Sequence, residues 1–412
     1  MTNPEEPADP PSRPPAGAAL TVLLAALTMI GPFTIDTIFP AFTQIGEQFA
    51  VNATALQQVT SSYLLAFAVM SVFHGPLSDA LGRKPVMIAG LAGYVLASIG
   101  CALSPNLGVL LIMRTLQGVF AGAATIVSRV VVRDIYAGPQ AHRMMSRIMM
   151  IFSVAPAVAP VMGGLLLQVG TWPIIFWAVA GYGLLSLLAV VLVLPETHPA
   201  TARSTFSARS ILRSILTVGR SPVMIRLATI TALSMGGQFL YIMGAPIIVV
   251  DLLGLGEQDF WVLFVPVIGG LLVGSWLSGH LAGSMRRERL IDAALAATVV
   301  AGVANVVIVM VTPHLPWAMV GPGLLAGAIA VAFPAIQLEI LDSFPANRGA
   351  AASLGTFGSL AFNAVIAGII APMVGLSLMH VAVTALVFVT LGAMIWAGHR
   401  RVGRRARGPQ TG

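Results

Sequence analysis

Apolar residues run in long stretches along this chain, and each stretch has the length of a membrane span. A helix that crosses the hydrocarbon core needs about 20 apolar residues and satisfies its own backbone hydrogen bonds there. Glycine, proline and charged residues separate twelve such runs. They lie at 18–40, 57–79, 84–104, 107–132, 142–168, 173–194, 223–251, 258–284, 289–312, 316–341, 347–375 and 377–399. The pattern predicts an all-α membrane protein with twelve transmembrane helices.

The runs form two groups of six, separated by the longest polar segment of the chain. The string GPLS at 75–78 follows the second run of the first group, and GHLA at 279–282 follows the second run of the second. Repeated transporter halves carry such internal similarity. We therefore expect two pseudo-symmetric six-helix bundles. The predicted divisions are a disordered cytoplasmic tail at 1–17, bundles at 18–195 and 223–399, a cytoplasmic linker at 196–222 and a basic cytoplasmic tail at 400–412.

Charge is sparse and lies on one side of the predicted membrane. Only 9% of the residues are charged, against roughly 25% in soluble domains. Apart from Arg114 and Arg129, every basic residue lies in a segment that is cytoplasmic if the N-terminus is inside. Because cytoplasmic loops collect Lys and Arg, we expect an inner (plasma) membrane protein with both termini in the cytoplasm. The net charge of +7 does not indicate a nucleic-acid partner, since the arginines occupy short loops without interleaved aromatic residues.

Four segments carry candidate chemistry. The loop at 75–85 places an acid and a base between two glycines, although a generic basic loop is the alternative reading. The fourth run buries Arg114 above a strip of small residues, where an arginine is costly unless it faces a partner, a cavity or the headgroups. The fifth run has prolines four apart, which remove backbone donors and could also be a simple packing kink. Asp36, in the first run, is either a buried acid or a rim carboxylate that touches water.

These strings together resemble the major facilitator superfamily. GPLSDALGRKP at 75–85 matches its Gly-x-Leu-x-Asp-x-x-Gly-Arg-Lys signature, and RTLQG at 114–118 matches its Arg-x-x-Gln-Gly motif. PAVAPVMGG at 156–164 is similar to the motif of its exporter branches, although Ala155 and Ala159 replace two family glycines. The first run, VRDIY at 132–136 and the segment 245–255 look like the bicyclomycin-resistance (Bcr/CflA) branch of drug:proton antiporters.

The resemblance implies a role for each motif. Asp36 and Arg114, which by residue count could meet in one layer of the membrane, would couple proton movement to transport. In a cytoplasmic latch, Asp79 would face the N-terminus of the eleventh span and Arg83 would pair with Asp134. The latch residues are Gly75, Asp79, Gly82, Arg83, Lys84 and Asp134, and the antiporter-type helix holds Pro156, Pro160, Gly163 and Gly164. Gly283 stands where the second half should repeat Asp79, so we expect a degenerate second latch.

Candidate substrate contacts are amphipathic or soft side chains on spans that line the cavity of such a fold, and each could instead be ordinary helix packing. They are Tyr63, Gln117, Phe152, Gln238, Tyr241, Met243, Phe357 and Asn363. A largely apolar cavity suits hydrophobic ligands.

The resemblance implies a secondary transporter that exports hydrophobic drugs or related small molecules in exchange for protons by alternating access. We expect no cofactor, because the proton gradient would drive transport. We expect no metal, because the seven histidines show no ligand spacing. We also expect a monomer in the bilayer. A proton-coupled metabolite transporter of the same fold, either importer or exporter, stays open, as does a non-transporting membrane sensor. We expect no enzyme, since zinc-protease, nucleophile-elbow and nucleotide-loop motifs are absent from the sequence.

Overall fold

The computed structural model describes residues 18–136, 144, 155–156, 158–203, 207–281 and 284–406. All regular secondary structure in these ranges is helical. The predicted tail at 1–17, most of the predicted fifth run and the candidate Phe152 lie outside the described residues.

The described part of the first half is helical, and short turns join its first five helices. In chain order they are α1 Ala18–Asp36, α2 Phe42–Phe49, α3 Ala53–Leu81, α4 Arg83–Ala102, α5 Leu107–Ile135, α6 Val158–Leu167 and α7 Pro173–Val193. Local sequence fixes several starts. The side chains of Asn52 and Asn106 accept hydrogen bonds from the backbone N–H groups of Ala55 and Val109, which caps α3 and α5. Pro173 begins α7 at a position where no backbone donor is needed.

The second half repeats this design after a helix in the linker. The linker helix is α8 Ala208–Gly219, and it is followed by α9 Pro222–Met243, α10 Trp261–Leu281, α11 Arg287–Val311, α12 Val320–Ser343, α13 Arg348–Val365, α14 Ala371–Val374 and α15 Leu378–Ala406. Two π-helical turns, Ile247–Leu252 and Ile366–Ile370, follow α9 and α13. The sequence did not predict α8, because its segment is polar overall.

Eleven helices in the described part of the chain are long and apolar enough to span a membrane, and α6 is the shorter apolar helix within the predicted fifth run. Most boundaries agree with the predicted runs, but three described runs are not continuous α-helices. The first is interrupted after Asp36 by a 3₁₀ turn at Phe39–Ala41, where Pro40 lacks a backbone donor. The seventh ends its α-helix at Met243, ahead of the π-helical turn. The eleventh run contains the π-helical turn Ile366–Ile370 between α13 and α14. The last helix also continues past 399 into the predicted basic tail.

The two halves have matching internal packing. In the first half α3 packs along α5, and in the second half α10 packs along α12. A Cβ on Gly118 would lie 2.3 Å from the carbonyl oxygen of Tyr63, and one on Gly270 would lie 2.0 Å from that of Gly323. Only glycine permits backbones this close. The second and fourth spans of each half are therefore joined in the same way, as expected of pseudo-symmetric bundles.

We call the end of the bundles that carries the turns at Arg83 and Arg287 the basic end, and the opposite end the distal end. Three side-chain hydrogen bonds between described residues join the two halves, and all three lie at the distal end. Gln58 and Ser61 of α3 donate to the carbonyl oxygens of Gly368 and Ala364, each at 2.8 Å. The third bond, from Gln44 Nε2 to Glu257 Oε2, measures 3.3 Å. The halves are thus closed against each other at the distal end.

Candidate functional site

We infer a cleft between the halves toward the basic end from the exposure of side chains on α3. Leu65 and Val69 continue the face of α3 that carries Gln58 and Ser61, because residues four and seven apart share a helix face. Their side chains are nevertheless 52% and 45% exposed. Phe357 lies seven residues before Ala364 on the corresponding face of α13 and is half-buried. The two helices therefore touch at the distal end and diverge below it, with apolar side chains on both walls.

The latch expected at 75–85 is assembled but not engaged with the other half. Arg83 forms an ion pair with Asp79, and its Nε lies 3.0 Å from Asp134 Oδ2, the acid that the family resemblance implied. Asp79 was expected to face the eleventh span, which corresponds to α13, but its side chain is 47% exposed. A Cβ on Gly75 would have no atom within 4 Å. Asp79 and Gly75 are therefore open at the surface of the first half.

A second set of residues supports the latch and was missed in the sequence. The carboxylate of Glu196 accepts from the backbone N–H groups of Arg83 and Lys84, at 3.0 and 3.2 Å, and so caps the start of α4. Thr197 donates to Asp134 Oδ2 at 3.0 Å. Gly82 has φ of +100°, and a Cβ there would lie 2.7 Å from Glu196 Oε2. Glycine is therefore required at 82 for both conformation and space. Glu196 was hidden because it lies 112 residues from Lys84 in sequence.

The second half holds an ion pair equivalent to that of Arg83 with Asp134. Arg287 Nη1 lies 2.5 Å from Asp342 Oδ2 and 3.6 Å from Glu339 Oε2. Arg287 is the first residue of α11 and Asp342 the last but one of α12, just as Arg83 and Asp134 stand in α4 and α5. Position 283 itself lies outside the described residues. The arginine and acid at the helix ends are retained in both halves.

Arg114 is fully buried within the first bundle and is held by neutral groups. Its Nε donates to the carbonyl oxygen of Val59 at 3.0 Å, and its Nη1 donates to Gln117 Oε1 at 2.7 Å and to the carbonyl oxygen of Thr34 at 3.4 Å. The guanidinium also lies 4.6 Å from the centroid of the Tyr63 ring. Hydrogen bonds and an aromatic face stabilise a desolvated guanidinium. The candidates Tyr63 and Gln117 therefore belong to this polar core.

Two further residues complete the polar core and were not singled out in the sequence. Gln117 Nε2 donates to Ser98 Oγ at 2.7 Å, and the hydroxyls of Thr34 and Tyr94 lie 2.5 Å apart. Single polar residues in an apolar span carry no distinguishing signal in one sequence. The network links α1, α4 and α5 around Arg114.

Asp36 is the last residue of α1 and is buried, and its Oδ1 has no hydrogen-bond partner among the described residues. We expected that Asp36 and Arg114 could meet in one layer. Within the described part of the chain no ion pair joins them, because Arg114 instead takes the backbone carbonyl of Thr34, two residues earlier on α1. Asp36 is therefore a buried carboxyl beside the polar core, and its Oδ1 is available for a further hydrogen bond.

The antiporter-type helix packs against the residues that follow Asp36. A Cβ on Gly163 of α6 would lie 2.1 Å from the carbonyl oxygen of Thr37, and one on Gly164 would lie 2.9 Å from that of Glu257 in the second half. Pro160 is buried and Pro156 half-buried. α6 thus connects the Asp36 region with the distal contact between the halves.

The distal contact contains a titratable group outside the spanning segments. Burial raises the pKa of Glu257, the hydrogen bond from Gln44 lowers it, and the carboxylate of Glu47 raises it again. Phe39 and Phe264, also from opposite halves, stack with ring centroids 6.4 Å apart. Separation of the halves would remove the burial and hydrate Glu257.

The remaining candidate cavity residues pack inside the second bundle in this state. Gln238, Tyr241, Met243 and Asn363 are all at most 4% exposed. The Tyr241 hydroxyl accepts a 2.6 Å hydrogen bond from Asn305 Nδ2 of α11. Their contact with substrate stays a prediction, as does that of the half-buried Phe357.

Comparisons with known proteins agree with this architecture. The family model described as Major Facilitator Superfamily matches residues 23–372. The chain belongs to the Major Facilitator Superfamily. This major facilitator is 30% identical over 397 residues to an uncharacterized MFS-type transporter, YdgK, of Bacillus subtilis, and the match covers 94% of this chain and 97% of the relative.

Two other relatives carry names that refer to resistance. The multidrug resistance protein MdtM of Salmonella typhimurium is 30% identical, with 74% of this chain and 73% of the relative covered. A bicyclomycin resistance protein homolog of Haemophilus influenzae is 26% identical, with coverage of 85% and 88%. Among solved structures, a D-xylose-proton symporter superposes with a TM-score of 0.71 at 14% identity, over 92% of this chain and 96% of that one. The chain is thus a multi-pass membrane transporter of small molecules and not an enzyme.

Proposed function

We propose that this major facilitator exports hydrophobic drugs or related small molecules in exchange for protons, and that it belongs to the bicyclomycin-resistance (Bcr/CflA) branch. The observation that carries the substrate class is the cleft wall, where Leu65, Val69 and Phe357 offer apolar surface to a ligand. Apolar pockets with few polar anchors favour hydrophobic ligands of loose specificity. The resistance-related names of two relatives support export over import.

The proposed orientation places the basic end in the cytoplasm of a bacterial cell, at its inner membrane, with both termini inside. Arg83, Arg287 and Arg348 all lie at that end, in agreement with the bias of arginine toward cytoplasmic loops. The structure then corresponds to an inward-open state, with the cleft ready to receive substrate from the cytoplasm. The two bundles would rock about the cleft within a single monomer. The proton gradient would drive this motion, and no cofactor would be needed.

Asp36 is the proposed proton carrier and Arg114 its partner in coupling. Asp36 is buried, has an unpaired oxygen and lies between the polar core and the distal contact. A buried acid in a spanning segment is a functional candidate because an unpaired charge there is costly. A proton that enters from the distal side would neutralise Asp36 before the halves close over it. After Asp36 releases this proton at the basic side, substrate would bind from that side.

Transport in proteoliposomes tests the proposal. A panel of lipophilic cationic and neutral dyes, with a sugar as a polar control, is offered under an imposed pH gradient of either sign. We expect dye to move against the proton flux and the sugar not to move. Asp36→Asn should abolish gradient-driven dye transport while leaving exchange of dye for dye in place.

The matched control is Asp251→Asn, which changes a carboxyl in the π-helical turn beyond α9 and should leave coupling intact. Movement of substrate in the same direction as protons would indicate a symporter of the same fold. No gradient-dependent movement of any compound would favour a facilitator or a sensor. Coupled transport by the Asp36→Asn variant would contradict the assignment of the proton carrier.

A further inference from the structure

The linker helix α8 presents two different apolar surfaces. Val218 is buried in a cluster with residues of the second bundle, and a Cβ on Gly219 would lie 3.6 Å from Leu354 of α13. Ile211 and Ile215 are half-buried on the same side. α8 is therefore docked on the second half, next to the basic end of α13.

The apolar arc of α8 does not stop where the bundle stops. Leu212 and Leu216, four residues apart and adjacent to the isoleucines around the helix, are 51% and 45% exposed. At about 100° per residue they continue the buried side of the helix outward. Nothing in the described part of the chain covers them.

A row of arginines borders this exposed arc. Arg209 and Arg213 lie three residues before Leu212 and Leu216, respectively, and Arg220 follows the helix on the same side. All three are exposed, and none forms an ion pair within the described residues. The surface made by Leu212, Leu216, Arg209, Arg213 and Arg220, here called the α8 surface, thus combines two leucines with three unpaired positive charges.

The α8 surface lies next to the start of a membrane span. Only two residues separate α8 from α9, which is itself a membrane span. Leucines beside a row of arginines are typical of an interfacial helix. In such a helix the apolar side chains enter the acyl boundary and the guanidinium groups bind lipid phosphates. Inner-leaflet anionic lipids attract basic segments of this kind.

We infer that the α8 surface is a binding site for anionic phospholipid headgroups of the leaflet at the basic end. The charge of the surface selects anionic over zwitterionic lipid, and the leucines favour a bilayer over a soluble anion. Because α8 is docked on α13, bound lipid holds the basic end of the second bundle to the leaflet. The inference does not depend on which substrate is carried or on proton coupling.

Site-directed fluorescence on the full-length protein tests this inference. Cys101 is the only cysteine and is buried, so Cys101→Ala with Leu216→Cys allows one environment-sensitive label on the α8 surface. The labelled protein is reconstituted into vesicles of phosphatidylcholine alone or with phosphatidylglycerol. Quenching by doxyl phospholipid reports contact with the bilayer, and quenching by aqueous iodide reports contact with water.

We expect phosphatidylglycerol to raise lipid quenching and lower iodide quenching, and added salt to reverse both by screening. Each arginine at an anionic surface strengthens binding by about fivefold, so Arg209→Gln, Arg213→Gln and Arg220→Gln together should weaken the response to phosphatidylglycerol by about a hundredfold. The matched control replaces Arg286, Arg289 and Arg401, exposed arginines elsewhere at the basic end, and should leave the response unchanged.

Three outcomes would overturn the inference. The label could remain open to iodide in both lipids, it could be shielded from both quenchers by protein, or the control triple could weaken the response as much as the α8 triple. Gel filtration and thermal unfolding of each variant identify any loss of fold. The lipid assay uses no transport, so its failure is distinguishable from failure of the proposed exchange of drug for protons.

Discussion

Two of the three hydrogen bonds that join the halves run from α3 to the main chain of α13 and of the π-helical turn that follows it, and their removal should open the distal end. Gln58 and Ser61 donate to the carbonyl oxygens of Gly368 and Ala364 at 2.8 Å. A net hydrogen bond contributes about 1 kcal/mol. Loss of both in Gln58→Ala with Ser61→Ala should therefore shift the equilibrium by about 2 kcal/mol, or about thirtyfold, toward the state that is open at the distal end.

A distance measurement between spin labels reports this shift directly. Ala53 and Leu376 are exposed at the distal end of opposite halves. Labels at these positions, in a Cys101→Ala background, should give a short distance in the parent protein and a longer one in the double variant. Pulsed electron resonance in nanodiscs resolves both populations.

Ser62 provides the matched control for this experiment. Its hydroxyl donates to the carbonyl oxygen of Val59 in its own helix at 3.5 Å and makes no bond across the halves. Ser62→Ala should leave the distance distribution unchanged. An unchanged distribution in the double variant, or an equal shift in Ser62→Ala, would show that the two bonds do not hold the distal end closed.

Three further predictions follow from the same geometry. Burial in the closed contact raises the pKa of Glu257, so protonation of Glu257 favours the closed state. A lower pH on the distal side should therefore shorten the distance between the spin labels at 53 and 376. Glu257→Gln should remove this pH dependence. Gly82→Ala, with its strained φ and a methyl 2.7 Å from a carboxylate oxygen of Glu196, should cost about 1–3 kcal/mol, measured as a lower melting temperature in detergent. Asp134→Asn leaves a guanidinium only 5% exposed without one of its partners, whereas Asp342→Asn affects one that is 37% exposed. Thermal unfolding should therefore show a loss of several kcal/mol for the first and about 1 kcal/mol or less for the second; equal losses would contradict this ranking.

The sequence predicts the depth of a residue in the membrane better than the direction in which it points. Residue counting placed Asp36 and Arg114 at similar depth, and both do belong to the same region of the first bundle. It could not show that α1 would offer Arg114 the carbonyl of Thr34 in place of the Asp36 carboxylate. The Arg83–Asp134 contact was expected from the family resemblance, which assigns the arginine of the 75–85 loop an acid at the inner end of the fourth span.

Apolar cavity walls and lipid-facing surfaces select the same residue types. Nothing in the sequence distinguishes Leu65 and Val69 from ordinary lipid contacts, and only their exposed fraction on the face toward α13 indicates that they line the cleft. The helix α8 was missed for a related reason. Its arginines make the linker polar on average, although Ile211, Ile215 and Val218 recur at helical spacing.

Two of the three hydrogen bonds that join the halves at the distal end are accepted by carbonyl oxygens of the main chain. A substitution at Ala364 changes a side chain but leaves its acceptor in place. Random mutation can therefore alter the side chains along the cleft, and with them the range of compounds carried, without erasing this closure. Because the closure does not depend on these side chains, a transporter of this design can change its substrate range while its distal end still closes.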